Sequence, residues 1–257
     1  MMEIQFQNKN VHYTSAGKGN PLVLLHGFLE DSGIWDELVN DLQKSRQVIC
    51  IDLPGHGKTD GFAEIHEMSL MAEVVKAVTD HLGIEEFSIA GHSMGGYVSL
   101  EFLRKFPKML KAVVLINSTP AEESVEKKAI RDKSVRLVGR NKQAFVSMAI
   151  SNLYTDESRK LFAAEIDSLK KRAGQLSAKN IQAALKGMKI RTNYVMELQS
   201  FDKQKLFIAS EDDPILNING LKLLAEECRA DFVPLKRGHN SYMEDRDNLT
   251  KTMHFID

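Results

Sequence analysis

Short apolar runs alternate with amphipathic helical stretches along most of this chain. Helical periodicity is found at 33–43, 68–82, 94–106 and 216–228. Because parallel strands need a long crossover, usually a helix, the alternation predicts an α/β fold with a mostly parallel sheet and helices on both faces. Five runs have the pattern of strands buried on both faces: 22–25, 48–51, 87–90, 112–116 and 206–209.

The two ends of this predicted sheet differ from its middle. Segments 4–6 and 11–13 flank Asn8-Lys9-Asn10, which predicts an antiparallel hairpin at the start of the sheet. Segment 232–235 predicts a further strand at an edge, because Pro234 cannot donate a ladder hydrogen bond.

Between about 120 and 200 the alternation stops and only helical periodicity remains. Gly139 and Gly174 mark predicted helix ends. A helical block between two strands of one sheet is an insertion, so we expect a core of residues 1–119 and 200–257 and a helical lid at 120–199. The predicted lid helices are 122–138, 141–153, 156–173, 178–188 and 191–199.

Composition excludes several classes of protein. With 43% hydrophobic and 27% charged residues, the chain has the balance of a globular protein. Its longest apolar run, 112–116, is far short of the about 20 residues that span a bilayer, and the start lacks a secretory-signal pattern. These features predict a cytoplasmic protein without a membrane span. A formal net charge of −1 argues against a nucleic-acid partner.

Neither the cysteines nor the histidines form a pattern typical of a metal site. Cys50 and Cys228 are too few for a disulfide framework or for a zinc site without histidine ligands, and we interpret both as small apolar residues. The histidines form no H-x-x-x-H pair. No metal and no cofactor are therefore predicted.

Gly91-His92-Ser93-Met94-Gly95 follows the predicted strand 87–90 directly and leads into the helical stretch 94–106. The G-x-S-x-G pattern is short, but a strand, a sharp turn and a helix are the context of a nucleophile elbow. The turn holds the serine hydroxyl clear of the sheet, and the helix N-terminus favours negative charge nearby. The alternative is that Ser93 only caps the helix.

A serine hydroxyl becomes a useful nucleophile when a histidine oriented by a carboxylate removes its proton. His239 lies between the last predicted strand and the last helix, at the sheet edge where open α/β sheets bind ligands. Asp213 occupies the equivalent loop after 206–209, in the chain order expected for a nucleophile elbow. Asp212 is the rival acid, and we prefer Asp213 because Pro214 stiffens the backbone after it.

The other histidines are predicted to be structural. His26 and His56 fall in strand-to-helix turns, where we expect them to brace loops. His12, His66 and His254 are assigned to surface elements.

Acyl transfer also needs hydrogen-bond donors for the oxyanion that develops in the transition state. One donor is expected to be the backbone N–H of Met94, the residue after the serine. The other is expected to be the N–H of Phe28, because Gly27 before it lets the backbone approach closely.

Together these segments resemble the α/β-hydrolase fold family. The resemblance implies that Ser93 is the nucleophile, Asp213 the acid and His239 the base, with the N–H groups of Phe28 and Met94 as the oxyanion hole. It covers the core in the family's order, with 120–199 in the place of a lid. The segments that carry it are HGF at 26–28, DLPGHG at 52–57, GHSMGG at 91–96, EDDP at 211–214 and GHNSYME at 238–244.

Two residues separate the chain from some relatives, and one departs from the family pattern. Haloalkane dehalogenases and epoxide hydrolases of this fold have aspartate in place of Ser93, and epoxide hydrolases commonly have proline in place of Leu29, so neither activity is expected. Ser210 stands where relatives often have glycine before the acid.

The predicted reaction is hydrolysis of a small-molecule carboxylic ester, with a small or medium acyl group, through an acyl-enzyme. Candidate acyl-pocket residues are Leu137, Phe145, Met148, Tyr154, Phe162 and Met188, although residues at helical spacing are more often packing residues than substrate contacts. Residues 122–195 hold 16 Lys and Arg against 8 Asp and Glu, and the rest of the chain 18 against 27. This basic surplus is either a solvated surface or a site for an acidic carrier.

Three alternatives to the small-ester hydrolase remain open. The chain resembles pimeloyl-acyl-carrier-protein methyl ester esterases, whose basic lids meet an acidic carrier. It also resembles the menaquinone-pathway synthase, a lyase, which would need arginines facing Ser93 to hold a dicarboxylate. A non-enzymatic receptor or binding protein is the third alternative. The arginines considered for the synthase are Arg131, Arg136, Arg159 and Arg191.

Overall fold

A single twisted sheet organises residues 2–256, the part of the chain that the computed structural model describes. In the described residues the sheet has eight strands in the order β1-β2-β4-β3-β5-β6-β7-β8. β2 is antiparallel to β1 and β4, and all other neighbours are parallel. The predicted α/β class is confirmed. The strands are β1 Met2–Phe6, β2 Lys9–Ala16, β3 Pro21–Leu25, β4 Gln47–Ile51, β5 Phe87–His92, β6 Leu110–Ile116, β7 Gln204–Ser210 and β8 Asp231–Leu235.

Helices cover both faces of this sheet and fill the interval between β6 and β7. Short 3₁₀ turns lie at Ser32–Trp35 and Pro107–Met109. The helices are α1 Asp36–Leu42, α2 Met68–His81, α3 Met94–Lys105, α4 Val125–Arg140, α5 Lys142–Ser151, α6 Asp156–Leu161, α7 Ala163–Ala173, α8 Ala178–Lys189, α9 Val195–Ser200, α10 Ile218–Glu227, α11 Ser241–Glu244 and α12 Arg246–Met253.

The central strands are buried on both faces, as their continuous apolar runs predict. In β3, Val23 and Leu25 pack into the hydrophobic cluster that includes α2 and α3. Leu22 and Leu24 point to the opposite face and pack into the cluster that includes α1 and α12. This two-residue alternation between two apolar layers is the geometry of a strand between two helical layers.

The predicted strands at the sheet ends are confirmed, with one correction to the first turn. The β1–β2 turn is Gln7-Asn8, with φ of 50° and 60°, and Lys9 and Asn10 already belong to β2. Two consecutive left-handed residues make the tight turn that suits the twist of a hairpin. β8, which carries Pro234, is the edge strand beside β7.

Residues 117–203, all of them described, form six helices and no strand, and α4 to α9 are here called the helical insertion. The prediction of one helix over 156–173 is wrong, because the backbone leaves helical geometry at Phe162 (φ −113°, ψ 30°) and separates α6 from α7. Gly139 does not end a helix, since α4 continues to Arg140, whereas Gly174 caps α7 as predicted.

Helix α8 fixes the insertion to the core. Its Gly187 lies so close to the loop after β4 that an added Cβ would overlap the carbonyl oxygen of His66. The N–H of His66 donates to the carbonyl of Ala183 at 3.0 Å. Among residues 2–256, no helix is both long enough and apolar enough to cross a bilayer.

Candidate active site

Ser93 lies at a strained turn between β5 and α3. Its φ of 49° and ψ of −111° lie outside the regions that residues with a Cβ ordinarily adopt. Gly91 and Gly95 make the turn possible, because a Cβ on Gly91 would overlap the backbone of Gly95, and one on Gly95 would overlap the carbonyl of Leu25. The Ser93 N–H donates to Ile116 O at 3.0 Å and holds the turn against β6.

His239 and Asp213 form a buried hydrogen-bonded pair. His239 Nδ1 lies 2.8 Å from Asp213 Oδ2, and the two side chains are 2% and 1% exposed. The other carboxylate oxygen accepts the N–H groups of Ile215 and Leu216 at 2.7 and 3.0 Å. Burial opposes ionisation of Asp213, but the facing His239 and these donors outweigh it and hold the pKa of Asp213 below its usual value.

The rival acid Asp212 lies elsewhere. Its side chain is exposed, and its backbone N–H donates to Arg237 O at 2.8 Å. Of the two neighbouring carboxylates, the structure brings Asp213 to His239 and turns Asp212 towards solvent.

Asn117 is a residue of the candidate site that sequence reasoning missed. It directly follows β6 with φ 44°, and its amide nitrogen donates to Asp213 Oδ2 and to Ser210 Oγ, each at 3.0 Å. Its amide oxygen accepts the hydroxyl of Ser241 at 2.8 Å. Ser210, the departure from the family pattern, therefore helps to orient the amide that binds the Asp213 carboxylate. The available signal was an asparagine at the carboxyl end of a central strand.

The loops that carry these residues meet because they follow strands of one sheet edge. Ser93 follows β5, Asn117 follows β6 and Asp213 follows β7, in the order in which these strands lie side by side. His239 follows β8, the next strand along. The carboxyl ends of neighbouring parallel strands are where open α/β sheets bind ligands.

The predicted oxyanion donors lie on adjoining loops. Phe28 follows β3 and Met94 follows β5, and β3 and β5 are direct neighbours with Leu25 opposite Gly91. His26 braces the first of these loops as predicted, because Nδ1–H donates to Gly27 O at 2.8 Å and Nε2 accepts the Leu53 N–H at 2.9 Å.

Two of the histidines predicted to lie on surface elements are found elsewhere. His12 and His66 are buried, so the surface prediction is wrong for both, because the loop after β4 folds back over β2 and is covered by α8. Burial lowers the pKa of His66 to about 4 and that of His56 to about 3, so both rings are neutral near pH 7. His254 is exposed, as expected.

The candidate pocket residues of the insertion divide by exposure. Phe145, Tyr154 and Met188 are buried in the cluster that includes α2 and α3, so packing accounts for them. Leu137 and Met148 are exposed on α4 and α5. Phe162 is half-buried, with the Arg237 guanidinium 5.9 Å from its ring centre.

Comparison with known proteins places the chain in a family. A family model described as the alpha/beta hydrolase fold matches residues 20–246. Over 145 residues the chain is 35% identical to the dihydrolipoyllysine-residue acetyltransferase component of the acetoin cleaving system of Pseudomonas putida, covering 56% of this chain and 36% of that protein. Over 111 residues it is 34% identical to the pimeloyl-[acyl-carrier protein] methyl ester esterase of Nitrosomonas europaea, covering 43% and 42%.

The two sequence matches therefore span about two fifths of the length of these curated relatives. A solved structure of a thermophilic esterase from Thermogutta terrifontis superposes with a TM-score of 0.93 at 23% identity, over 99% of this chain and 97% of that one. With a family model that covers most of its length and a matching fold, the chain belongs to the alpha/beta hydrolase fold family, whose members among its relatives include esterases and other hydrolases.

Proposed function

We propose that the protein hydrolyses carboxylic esters with a small or medium acyl group through an acyl-enzyme on Ser93. The observation that carries the proposal is the buried His239–Asp213 pair on loops adjoining the strained Ser93 turn. A pair of this kind orients an imidazole as a general base, and a strained elbow presents a hydroxyl to it.

The proposed reaction uses each of these groups in turn. His239 Nε2 removes the Ser93 proton as Oγ attacks the ester carbonyl, and the N–H groups of Phe28 and Met94 stabilise the oxyanion. His239 then donates that proton to the leaving alkoxide, and the acyl group remains on Ser93 Oγ. Water attacks the acyl-enzyme by the same route, which releases the acid and restores Ser93. Asp213 keeps the Nδ1 proton of His239 in place and stabilises the imidazolium.

The acyl-enzyme is tested with p-nitrophenyl esters of increasing acyl length. We expect a pre-steady-state burst of p-nitrophenol approaching one equivalent, because the activated ester should acylate Ser93 faster than water removes the acyl group. A fluorophosphonate should label the Ser93 peptide, as seen by mass spectrometry, and block the burst in parallel. Labelling at another residue, or activity that survives stoichiometric labelling of Ser93, would contradict the proposal.

Of the alternative reactions, the synthase-like elimination has less support. Arg131 and Arg191 both bind the buried carboxylate of Glu123, and Arg159 binds the carbonyl of Ser151 and the carboxylate of Asp156. Three of the four arginines considered for a dicarboxylate are therefore engaged elsewhere. Backbone strain of the kind found at Ser93 is typical of active sites and is not required in a non-enzymatic receptor. The strained turn therefore favours an enzyme.

A carrier-linked ester is the second candidate substrate, and the exposed face of α4 favours it. Among residues 2–256, the exposed cations Lys133, Arg136 and Arg140 have no ion-pair partner. Val125 and Ile130, 78% and 59% exposed, lie on the same face. A basic helix face with apolar neighbours suits an acidic partner helix. A methyl ester esterase acting on an acyl-carrier substrate is among the relatives.

Charge reversal on α4 distinguishes the two substrates. In the triple variant Lys133→Glu, Arg136→Glu, Arg140→Glu, kcat/KM for a carrier-linked methyl ester should fall by about tenfold or more, because electrostatic steering is reversed. Hydrolysis of p-nitrophenyl butyrate should stay within about twofold. Arg131 is excluded from the set because it binds Glu123.

The matched control reverses three exposed lysines on other helices of the insertion, Lys160, Lys171 and Lys179, with the same change in net charge. It should leave both substrates within about twofold. Equal losses on both substrates in the α4 variant, or no loss on either, would exclude the carrier.

A further inference from the structure

One buried carboxylate links the loops on which the proposed chemistry depends. Glu30 lies in the loop after β3, and its side chain is 1% exposed. Its Oε2 accepts the Gly27 N–H at 2.5 Å, one residue before the proposed oxyanion donor Phe28, and lies 3.0 Å from His92 Nδ1. Its Oε1 accepts the hydroxyl of Tyr242 at 3.0 Å.

His92, the residue directly before Ser93, connects Glu30 to the backbone of the proposed base, His239. Its Nε2 lies 3.0 Å from the backbone carbonyl oxygen of His239, and the two rings are 5.1 Å apart. Each ring nitrogen of His92 therefore faces an oxygen acceptor. A neutral imidazole has only one N–H, so both hydrogen bonds form only if His92 is an imidazolium or if a protonated Glu30 donates to its Nδ1.

The proton is expected on His92 rather than on Glu30. Oε2 of Glu30 already accepts an obligatory backbone N–H donor, and Oε1 accepts a phenol, which is the pattern of an ionised carboxylate. Burial disfavours a charged His92, but Glu30, the carbonyl of His239 and the nearby Asp213 outweigh it and raise the pKa of His92 above its usual value. Burial likewise opposes ionisation of Glu30, yet His92 lowers the pKa of Glu30.

We propose that Glu30 is a positioning residue whose carboxylate keeps His92 as an imidazolium and thereby fixes His239 and the Gly27–Phe28 loop around Ser93. His239 is then held at two points, its ring by Asp213 and its backbone by His92. The positioning role of Glu30 rests on the proposed ester hydrolysis, whereas the charge assigned to His92 is independent of the reaction.

The test is Glu30→Gln, which keeps the shape and removes the charge. A neutral His92 would then keep its bond to residue 30 and lose the one to the His239 carbonyl. We expect kcat for p-nitrophenyl acetate to fall by about 10- to 100-fold with KM within about twofold, because displaced catalytic groups act on the transition state rather than on binding. Histidine ¹⁵N NMR near neutral pH should show both His92 nitrogens protonated in the unsubstituted protein and one in the variant.

Glu101→Gln is the matched control. Glu101 is also buried and also accepts a tyrosine hydroxyl, from Tyr194 at 2.8 Å, but it lies in α3 eight residues beyond Ser93, about 12 Å along the helix. We expect kcat within about twofold of the unsubstituted protein. An equal loss in both variants would overturn the proposal, since it would reflect only the removal of a buried carboxylate.

The NMR measurement on the unsubstituted protein and on Ser93→Ala decides the charge state even if Glu30→Gln does not fold. A singly protonated His92 there would overturn the proposal, as would an unchanged kcat in Glu30→Gln with His92 neutral. If the protein hydrolyses no ester while His92 is doubly protonated, ester hydrolysis and the positioning role fail together and the charge assignment stands.

Discussion

Replacing Ser93 by alanine is expected to lower kcat for p-nitrophenyl ester hydrolysis by a factor on the order of a million, the loss typical of a triad serine. Alanine removes the hydroxyl oxygen that we propose carries the acyl group, while the turn should keep its shape because the Ser93 N–H bond to Ile116 is a backbone contact. Steady-state rates, with burst amplitude as a second readout, measure the effect.

Ser99→Ala controls for the loss of a hydroxyl in the same region. Ser99 is buried in α3 and donates to Gly95 O at 2.9 Å, so its removal changes the helix locally and leaves the nucleophile in place. We expect kcat within about threefold. Activity of Ser93→Ala within tenfold of the unsubstituted protein would refute the assignment of Ser93.

Asp213→Asn should lower kcat by about four orders of magnitude. An asparagine amide at this position can present its NH₂ to His239 Nδ1, which favours the tautomer with its proton on Nε2, where the base must be unprotonated. The low pKa of Asp213 means that the aspartate is ionised at neutral pH and holds the opposite tautomer. The measurement is kcat for the ester with the largest burst.

Asp212→Asn is the control for Asp213→Asn, because it makes the same chemical change one residue away on an exposed side chain. We expect kcat within about twofold. If Asp212→Asn caused the larger loss, the acid would have been assigned to the wrong carboxylate and the loop after β7 would differ from the structure described.

Local patterns were enough to predict most of the fold. β3 and β4 coincide closely with their apolar runs, because a strand that is buried on both faces has apolar residues at consecutive positions. The break at Phe162 was not predictable, since both α6 and α7 have helical periodicity and only packing decides where the axis changes. The burial of His12 and His66 also depends on distant segments that fold over them.

The residues of the candidate site likewise divide into those that the local sequence predicts and those that it does not. Ser93 is marked by its own neighbours, since the glycines that allow the turn are adjacent in sequence, and the loop of His239 follows from its place after the last strand. Asn117 has only a general signal, its position at the carboxyl end of a central strand, and Glu30 has no local signal. Their roles depend on which side chains of other loops they reach, and those partners lie up to 212 residues away, as in the Tyr242–Glu30 hydrogen bond.

By itself the sequence determined the α/β class, the strand-turn-helix around Ser93 and the strand edge at which the loops gather, because periodicity and turn chemistry act over a few residues. Only the tertiary structure decided that Asp213 rather than Asp212 meets His239 and that Glu30 holds His92. It also decided which cations of the helical insertion have no ion-pair partner. These outcomes depend on the directions of side chains from separate strands, which meet only once the sheet has brought their ends together.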